Sequence, residues 1–498
     1  MRDHGPPEPS TTPLTARQRR WVLCAAMLAM FMAAVESTIV STAMPTIVAA
    51  LGGFHLFSWV FAAYLLPQAV TVPIYGRLAD LYGRKRVLLA GATIFLVGSA
   101  LCGLAWGMPA LVVFRALQGL GAGAIMPVAT TIVGDIYPPS ERGRVQGYIS
   151  SLWGVSAVTG PLLGAFLVQH VGWATVFWVN LPVGCLSMAL LVVALHEHRA
   201  PRRHRIDYVG SLLLAGSSGA LILALVQAGD LGFPTVVTLV IAAVLGLLLL
   251  LRHEGRVVEP MMPLDLWRHP VIAAVNLGAL SIGAVMMGVV VFLPTCVQGV
   301  MGRSALVAGF ALTALSLGWP IGSTIAGRLL ARRSYRALSM AGGVALVAGG
   351  VVLVVMNPTE GAFLAGIGAL LTGLGLGFCN TTFLVAAQAS VRWNRRGIAT
   401  STNLFMRMLG QSLGAAIFGG IVNHGLARRL PDAGDAVERL MNPAERAAMS
   451  ADTVARLTHA VAVTLHQVYV VAALLALLAL ALTLILPPGI GPRHAEED

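Results

Sequence analysis

The sequence predicts an all-α polytopic membrane protein of fourteen spans: two six-helix bundles with a helix pair inserted between them. Three observations predict it: the composition, apolar stretches of membrane-crossing length, and motifs duplicated at a nearly constant spacing. Of 498 residues, 57% are hydrophobic and only 11% are charged, with a mean hydropathy of +0.81. A soluble chain carries far more charge. Apolar stretches recur from end to end, each long enough to cross about 30 Å of hydrocarbon.

Hydropathy and helix breakers place the spans at 21–50, 57–75, 87–106, 109–134, 146–169, 174–195, 207–227, 232–251, 271–299, 305–330, 337–356, 361–388, 397–426 and 461–486. The chain then divides into an N-terminal tail (1–20), a first bundle (21–195), a linker with two inserted spans (196–270), a second bundle (271–486, with an outer loop at 427–460) and a C-terminal tail (487–498). The first span is too long for a signal-peptide core and carries a charge, so it reads as an uncleaved helix.

The net charge of +12 would suit a nucleic-acid binder, but its placement excludes that reading. With the N-terminus in the cytoplasm, the inner segments hold Arg84, Lys85, Arg86, Arg142, Arg144, Arg202, Arg203, Arg332, Arg333, Arg395 and other arginines, whereas the short outer loops hold only Arg303. The 427–460 loop has five arginines balanced by five acids, and long loops are weakly constrained. The basicity is therefore a positive-inside signal. It places both termini in the cytoplasm, with the lipid bilayer and no nucleic acid as partner, and a plasma-membrane location is expected. Cys24, Cys102, Cys185, Cys296 and Cys379 all fall in spans without a C-x-x-C, which predicts neither disulfides nor a metal site. One lysine among 33 basic residues points to a GC-rich, bacterial source.

The duplication is read from glycines. Gly119, Gly121 and Gly123 in "LQGLGAGAIMPV" recur as Gly373, Gly375 and Gly377 in "LTGLGLGFCNTT", an offset of 254. "GRLADLYGRKRVLLAG" (76–91) parallels "GRLLARRSYRALSMAG" (327–342) at 251, and Pro45-Thr46 parallels Pro294-Thr295 at 249. Six spans with short loops need about 200 residues, at roughly 20 apolar residues per span plus loops. The excess is two spans, and 207–227 and 232–251 have no counterpart.

Four stretches carry chemistry. The 2–3 loop from Gly76 to Leu89 supplies small residues for a tight inner turn, Asp80 as an acceptor at a helix N-terminus, and Arg84, Lys85 and Arg86 to engage acids on neighbouring inner loops. A plain positive-inside turn would look similar. In "RALQGLGAG", Arg115 lies inside the fourth span, where arginine is rare and usually functional. It either caps backbone carbonyls or tunes a protonation site nearby. The fifth span carries Gly147, Gly160, Pro161 and Gly164, in which Gly-Pro bends the helix and glycines thin its wall; a kinked packing helix is the simpler reading. The first span contains "VESTIVSTAMP" (35–45), whose Glu36 is the single acid deep in any predicted span. Such a group is unfavourable by about 2.5 to 3.5 kcal/mol at a helix centre. Ser37/Ser41 and Thr38/Thr42 add two polar stripes at i,i+4, so the helix is better enclosed by protein or a wet cavity than turned to lipid.

The order G-x3-D-x2-G-R-K from Gly76 to Lys85, the Arg115 stretch and the Gly160-Pro161 span resemble the major facilitator superfamily. The first-helix motif at 35–45 and "GWATVFWVNLPVG" (172–184) resemble its fourteen-span drug:proton antiporters of the EmrB/QacA type. The sequence departs from the family pattern at Leu81, Ser156 and Ala165, at Glu36 where Asp is commoner, and at Ser41 and Met44. The second copy of the loop has Ala331 where the first has its acid.

The resemblance implies a major-facilitator fold and export of an amphipathic small molecule in exchange for protons. Glu36 and Arg115 would couple the proton. Gly76, Asp80, Gly83, Arg84 and Lys85 would form a conformational latch with Asp135 as partner. Gly147, Gly160, Pro161 and Gly164 would form the antiporter motif. Gln68, Trp153, Asn380, Asn403 and Arg407 are candidates for the cavity wall, and each fits ordinary helix packing as well. A buried acid is readily tuned by its neighbours, although a permanently protonated Glu36 in one interhelical hydrogen bond is the structural alternative. One acid offers no second carboxylate for a divalent cation. No cofactor is expected beyond the proton gradient: no phosphate-binding loop for ATP appears, nor H-E-x-x-H or G-x-S-x-G. A monomer is expected. The rivals are a dedicated exporter of one metabolite, antibiotic, siderophore or lipid, and a transporter-like sensor without turnover.

Overall fold

A computed structural model describes residues 15–137, 139–195, 207–226, 232–257, 264–330, 332–356, 362–391, 396–430, 439–440 and 442–488. The side chains of Ser37, Asp80, Asp135, residues 139–151 and Trp153 lie outside the description. So do the tail residues 1–14 and 489–498, and the linker 196–206.

The chain is all-helical among the described residues. The first bundle comprises α1 (Ala16–Leu51), α2 (Phe57–Tyr82), α3 (Arg84–Gly103), α4 (Met108–Ile136), α5 (Pro139–His170) and α6 (Asn180–Ala194, after a short turn Thr175–Trp178). The inserted pair is α7 (Tyr208–Val226) and α8 (Phe233–Glu254). The second bundle comprises α9 (Pro270–Thr295), α10 (Ala305–Leu329), α11 (Tyr335–Val355), α12 (Ala362–Ala389), α13 (Arg396–Arg429) and α14 (Ala451–Thr483). Thirteen described stretches are long and apolar enough to cross a membrane. The 32-residue α5 is not one of them, and the side chains of its first turns are outside the description.

Three boundaries differ from the sequence expectation. Helix α1 starts at Ala16 because Thr15 and Gln18 form a capping box: Gln18 N donates to Thr15 Oγ1 (3.3 Å) and Thr15 N to Gln18 Oε1 (3.0 Å). The 2–3 loop shrinks to one residue. Helix α2 continues through Asp80 to Tyr82, and Gly83 at φ 92° turns the chain directly into α3, a conformation that favours glycine. The 427–460 loop also shrinks, because α13 runs on to Arg429 and α14 begins at Ala451, capped by the Ser450 side chain on Thr453 N.

The duplicated glycines are explained by matching close approaches. A Cβ on Gly119 would meet the Tyr64 carbonyl of α2, and one on Gly373 the Leu315 carbonyl of α10. Gly121 is set against Gly91 O of α3 as Gly375 is against Gly342 O of α11, and Gly98 lies on the Gln118 backbone as Gly349 lies on Thr372. The two bundles are thus the same object built twice, with α2 matching α10, α3 matching α11 and α4 matching α12.

The core shows how the bundles meet. One cluster is shared: Ile39, Met44, Val48 and Phe61 of the first bundle pack with Val289, Phe292, Ala415 and Phe418 of the second. Phe292 lies 5.6 Å from Phe57 and 6.3 Å from Phe418, centroid to centroid. At this same end Asn423 Nδ2 donates to His55 O (2.7 Å) and Gln298 Nε2 to Thr42 O (3.4 Å). At the Gly83 end the core divides. Val22, Ala26, Val87, Ile132 and Leu191 form a cluster within the first bundle, and Val275, Ile282, Leu346, Phe383 and Ala479 form one within the second. Among the described residues, the core shared by the two bundles lies toward the Gly52–Gly53 turn, and separate cores lie toward the Gly83 turn.

The inserted pair backs the seam between α2 and α13, where Leu214 and Leu250 pack with Ala69, Val70, Phe405 and Met406. Asp207 ties the pair together, accepting from Gly210 N (2.8 Å) and pairing with His253 Nε2 (2.7 Å).

Candidate functional site

Five helices of the first bundle converge on one buried polar cluster. Helix α1 brings Glu36 and α4 brings Arg115, at 0% and 1% exposure. Arg115 Nη1 donates to Glu36 Oε1 in an ion pair and to Gln118 Oε1 (2.6 Å), and Nε donates to the Val60 carbonyl of α2 (3.1 Å). Its guanidinium lies 4.0 Å from the Tyr64 ring centroid, within cation–π range. The other oxygen of Glu36 accepts from Asn180 Nδ2 at the start of α6 (2.6 Å). Asn180 also donates to Ser99 Oγ of α3 (3.0 Å), as does Gln118 Nε2 (3.1 Å), and Ser99 Oγ donates to Phe177 O (2.8 Å).

Arg115 both caps a carbonyl and pairs with the acid. Glu36 accepts from two side chains on two other helices, so a lone interhelical hydrogen bond does not describe it. Leaving one member of such a buried pair alone is unfavourable by about 3 to 5 kcal/mol. The polar stripes of α1 turn inward on their own helix: Thr38 Oγ1 donates to Val35 O (3.1 Å), Ser41 Oγ to Thr38 O (2.7 Å) and Thr42 Oγ1 to Thr38 O (3.2 Å). Ser37 lies outside the described side chains.

The antiporter-like glycines sit against Glu36's own helix. A Cβ on Gly160 would meet Thr38, and one on Gly164 would lie 2.9 Å from Ile39 O. The Pro161 carbonyl lies 3.0 Å from where a Cβ would stand on Gly309 of α10. Helix α5 therefore touches the acid's helix on one side and the opposite bundle on the other. Gly147 lies on the same helix, outside the described side chains.

The latch residues are placed only in part. Gly83 makes the turn, Arg84 opens α3, and Gly76 lies inside α2 with open space where a Cβ would stand. Lys85 Nζ donates to the Val192 and Leu195 carbonyls (2.8 and 2.7 Å) at the end of α6. A cation therefore sits on the negative end of that helix, a contact that the acid-pairing expectation did not include. Asp80 and Asp135 lie on α2 and α4 toward the Gly83 turn, and their side chains are outside the description.

Of the wall candidates, Gln68 is buried on α2 beside α4, and Asn380 is partly exposed on α12. Asn403 is buried and donates to Val275 O (3.2 Å) and Asn276 Oδ1 (3.1 Å), holding α13 to α9. Arg407 is partly exposed on α13, and the Trp153 side chain is not described. Sequence reasoning missed Asn180, Gln118, Ser99 and Tyr64, the groups that complete the ion pair. No cluster of three His, Cys, Asp or Glu suited to a metal occurs among the described residues.

The sequence profile of the Major Facilitator Superfamily matches residues 26–415. The chain is 36% identical over 426 residues to Multidrug resistance protein 3 of Bacillus subtilis (strain 168), covering 85% of this chain and 83% of that one. It is 31% identical over 409 residues to Multidrug transporter protein MdtP of the same organism, covering 82% and 76%. Among solved structures, a bacterial homolog of the human lysosomal transporter Spinster, in an inward-facing and unoccupied conformation, superposes with a TM-score of 0.65 at 17% identity, covering 96% of this chain and 98% of that one.

Proposed function

The chain belongs to the Major Facilitator Superfamily, and from that premise we propose that it exports amphipathic small molecules across the plasma membrane in exchange for protons. The observation that carries this reading is the Glu36–Arg115 pair, a carboxylate enclosed at the middle of the first bundle with a cation as its partner. The likeness to proteins named for multidrug resistance supports export over uptake. The first-helix and fifth-helix motifs favour the fourteen-span antiporter subfamily.

The positive-inside pattern puts the Gly83 turn in the cytoplasm, so the end where the two bundles keep separate cores faces inward, where an exporter loads. In this state Glu36 is held as the partner of Arg115, and cargo enters between the bundles. Rocking of the bundles then opens the outer end, where Ile39, Phe57, Phe292 and Phe418 now seal it. An external proton neutralises Glu36 and frees Arg115. Helix α5 conveys that change, because Gly160 and Gly164 touch α1 while Pro161 faces α10. The return to the inward state releases the proton. Proton and cargo must each prefer one state, otherwise neither shifts the equilibrium.

Proteoliposomes with an imposed pH gradient test this reading. Wild type should accumulate amphipathic dyes, and Glu36→Gln should lose gradient-driven accumulation. Uptake that stays coupled in the variant would refute the role of Glu36. A dedicated single-cargo exporter would use the same machinery, and a narrow resistance profile on expression would identify it.

A further inference from the structure

We propose that Arg407 and Trp319 form a binding subsite for the anionic group of an amphipathic cargo, so that the substrates are aromatic or aliphatic acids and not lipophilic cations. This rests on the exporter reading above and sharpens it.

The place of the pair comes from helix packing. Helix α13 is the side of the second bundle that meets α2: Phe405 and Met406 pack with Ala69 and Val70. Helix α10 is the side that meets α5, through Gly309 and Pro161. The Arg407 guanidinium reaches from α13 to within 5.7 Å of the Trp319 ring centroid on α10. The pair therefore bridges two helices of the second bundle that meet the first, with Trp319 also packed on the second bundle's own cluster of Val275, Ile282 and Phe383. It lies just inward of the sealed outer cluster, in which Ala415 and Phe418 take part.

Among the described residues Arg407 has the Trp319 ring as a cation–π partner and no carboxylate in an ion pair. Its Nε is buried without a hydrogen-bond partner, while the residue keeps partial exposure. The acid nearest along the facing helix is Asp80, ten residues inward of the stretch that packs with Phe405 and Met406. That places it about 15 Å away at 1.5 Å per residue. Glu36, the acid in the middle of the spans, is already paired with Arg115. The first bundle's pair is therefore balanced within itself, and Arg407 has no acid partner among the described residues.

An intramembrane arginine without an acid partner is retained at a cost, and a guanidinium fits a carboxylate, sulfonate or phosphate ester through two parallel hydrogen bonds. Trp319 beside it offers an aromatic face to the apolar part of the same molecule. A lipophilic cation at this position would meet like charge. Exporting one anion against one incoming proton moves two charges, so the membrane potential as well as the pH gradient would drive it.

The test uses the full chain in lipid nanodiscs and a matched pair of fluorescent probes, anthracene-2-carboxylate and its neutral carboxamide. Wild type should bind the carboxylate about tenfold more tightly than the amide, Arg407→Gln should lose that preference, and Arg407→Lys should keep most of it. The wild-type comparison needs no variant, so it stands even where Arg407→Gln fails to fold. Equal binding of both probes by wild type, or a preference surviving in a folded Arg407→Gln, overturns the proposal. Proteoliposome uptake separates it from the exporter reading. Carboxylate preference without gradient-driven uptake keeps the subsite and removes the exporter. Gradient-driven uptake of ethidium by a protein that binds the two anthracene probes equally keeps the exporter and removes the subsite.

Discussion

The two bundles share a backbone plan and differ in where they keep charge. In the first, Glu36, Arg115, Gln118, Ser99 and Tyr64 form one connected buried cluster. At the repeat offsets their counterparts in the second are Val285, Ala369, Thr372, Gly350 and Leu315, and no charge remains. The second bundle carries its cation elsewhere: Arg407 stands at the position equivalent to Trp153, and Trp319 at that of Gln68. The fifth-helix motif is equally one-sided, since Pro161 and Gly164 correspond to Ala415 and Phe418, both in the outer seal. Duplication preserved the glycine contacts that let helices touch, while the polar positions diverged. One half holds a buried Glu36–Arg115 ion pair, and the other holds Arg407 stacked toward Trp319.

Removing one member of the pair should break this contrast most severely. Arg115→Gln leaves Glu36 buried without its cation and should destabilise the protein by about 3 to 5 kcal/mol. Thermal unfolding in detergent reads this. The double variant Glu36→Gln/Arg115→Gln should recover much of that loss while staying inactive in gradient-driven uptake. If the double variant is as unstable as the single one, the two side chains are not energetically coupled.

The shared plan is tested by treating the halves alike. Gly119→Ala and Gly373→Ala each push a methyl group into the backbone carbonyl of the neighbouring helix. Each should cost about 1 to 3 kcal/mol, the usual range for overpacking, and reduce folded yield by size-exclusion chromatography to a similar degree. A silent Gly373→Ala beside a damaging Gly119→Ala would break the equivalence of α4 and α12.

Much of this plan was legible in the sequence, because glycine spacing and membrane charge are strong signals. Glu36 and Arg115 announced themselves as charges inside apolar spans, and the offsets of 251 and 254 located the paired helices. Asn180, Gln118 and Ser99 were not legible, since neutral polar residues barely change hydropathy and their convergence depends on three helices docking. Trp319 reads as one more apolar residue until the repeat sets it opposite Gln68. The turn at Gly83 was misjudged because Asp80 and its polar surroundings read as loop, whereas α2 stays helical until a residue with positive φ ends it.

A smaller effect is expected at Lys85. Lys85→Ala removes the cation from the last carbonyls of α6 and should lower stability by about 1 kcal/mol, the upper part of the range for a charge at a helix end. Lys85→Arg should restore most of it. A Lys85→Ala protein with native thermal stability and slowed uptake would place the residue in conformational switching and not in helix capping.

The smallest effect is expected from the hydroxyls beside Glu36. Each of Thr38, Ser41 and Thr42 donates to a carbonyl three or four residues back on α1, so its hydrogen-bonding capacity is met inside its own helix. Thr42→Val keeps the shape and removes one such bond, and intramembrane hydrogen bonds average about 0.6 kcal/mol. The variant should unfold within a few degrees of wild type and transport at its rate. If Thr42→Val instead slows gradient-driven uptake tenfold without changing stability, the hydroxyl relays protons to Glu36 in another state of the cycle. The first bundle would then hold a pathway that the buried pair alone does not provide, and the contrast between the halves would extend to the route as well as to the acceptor.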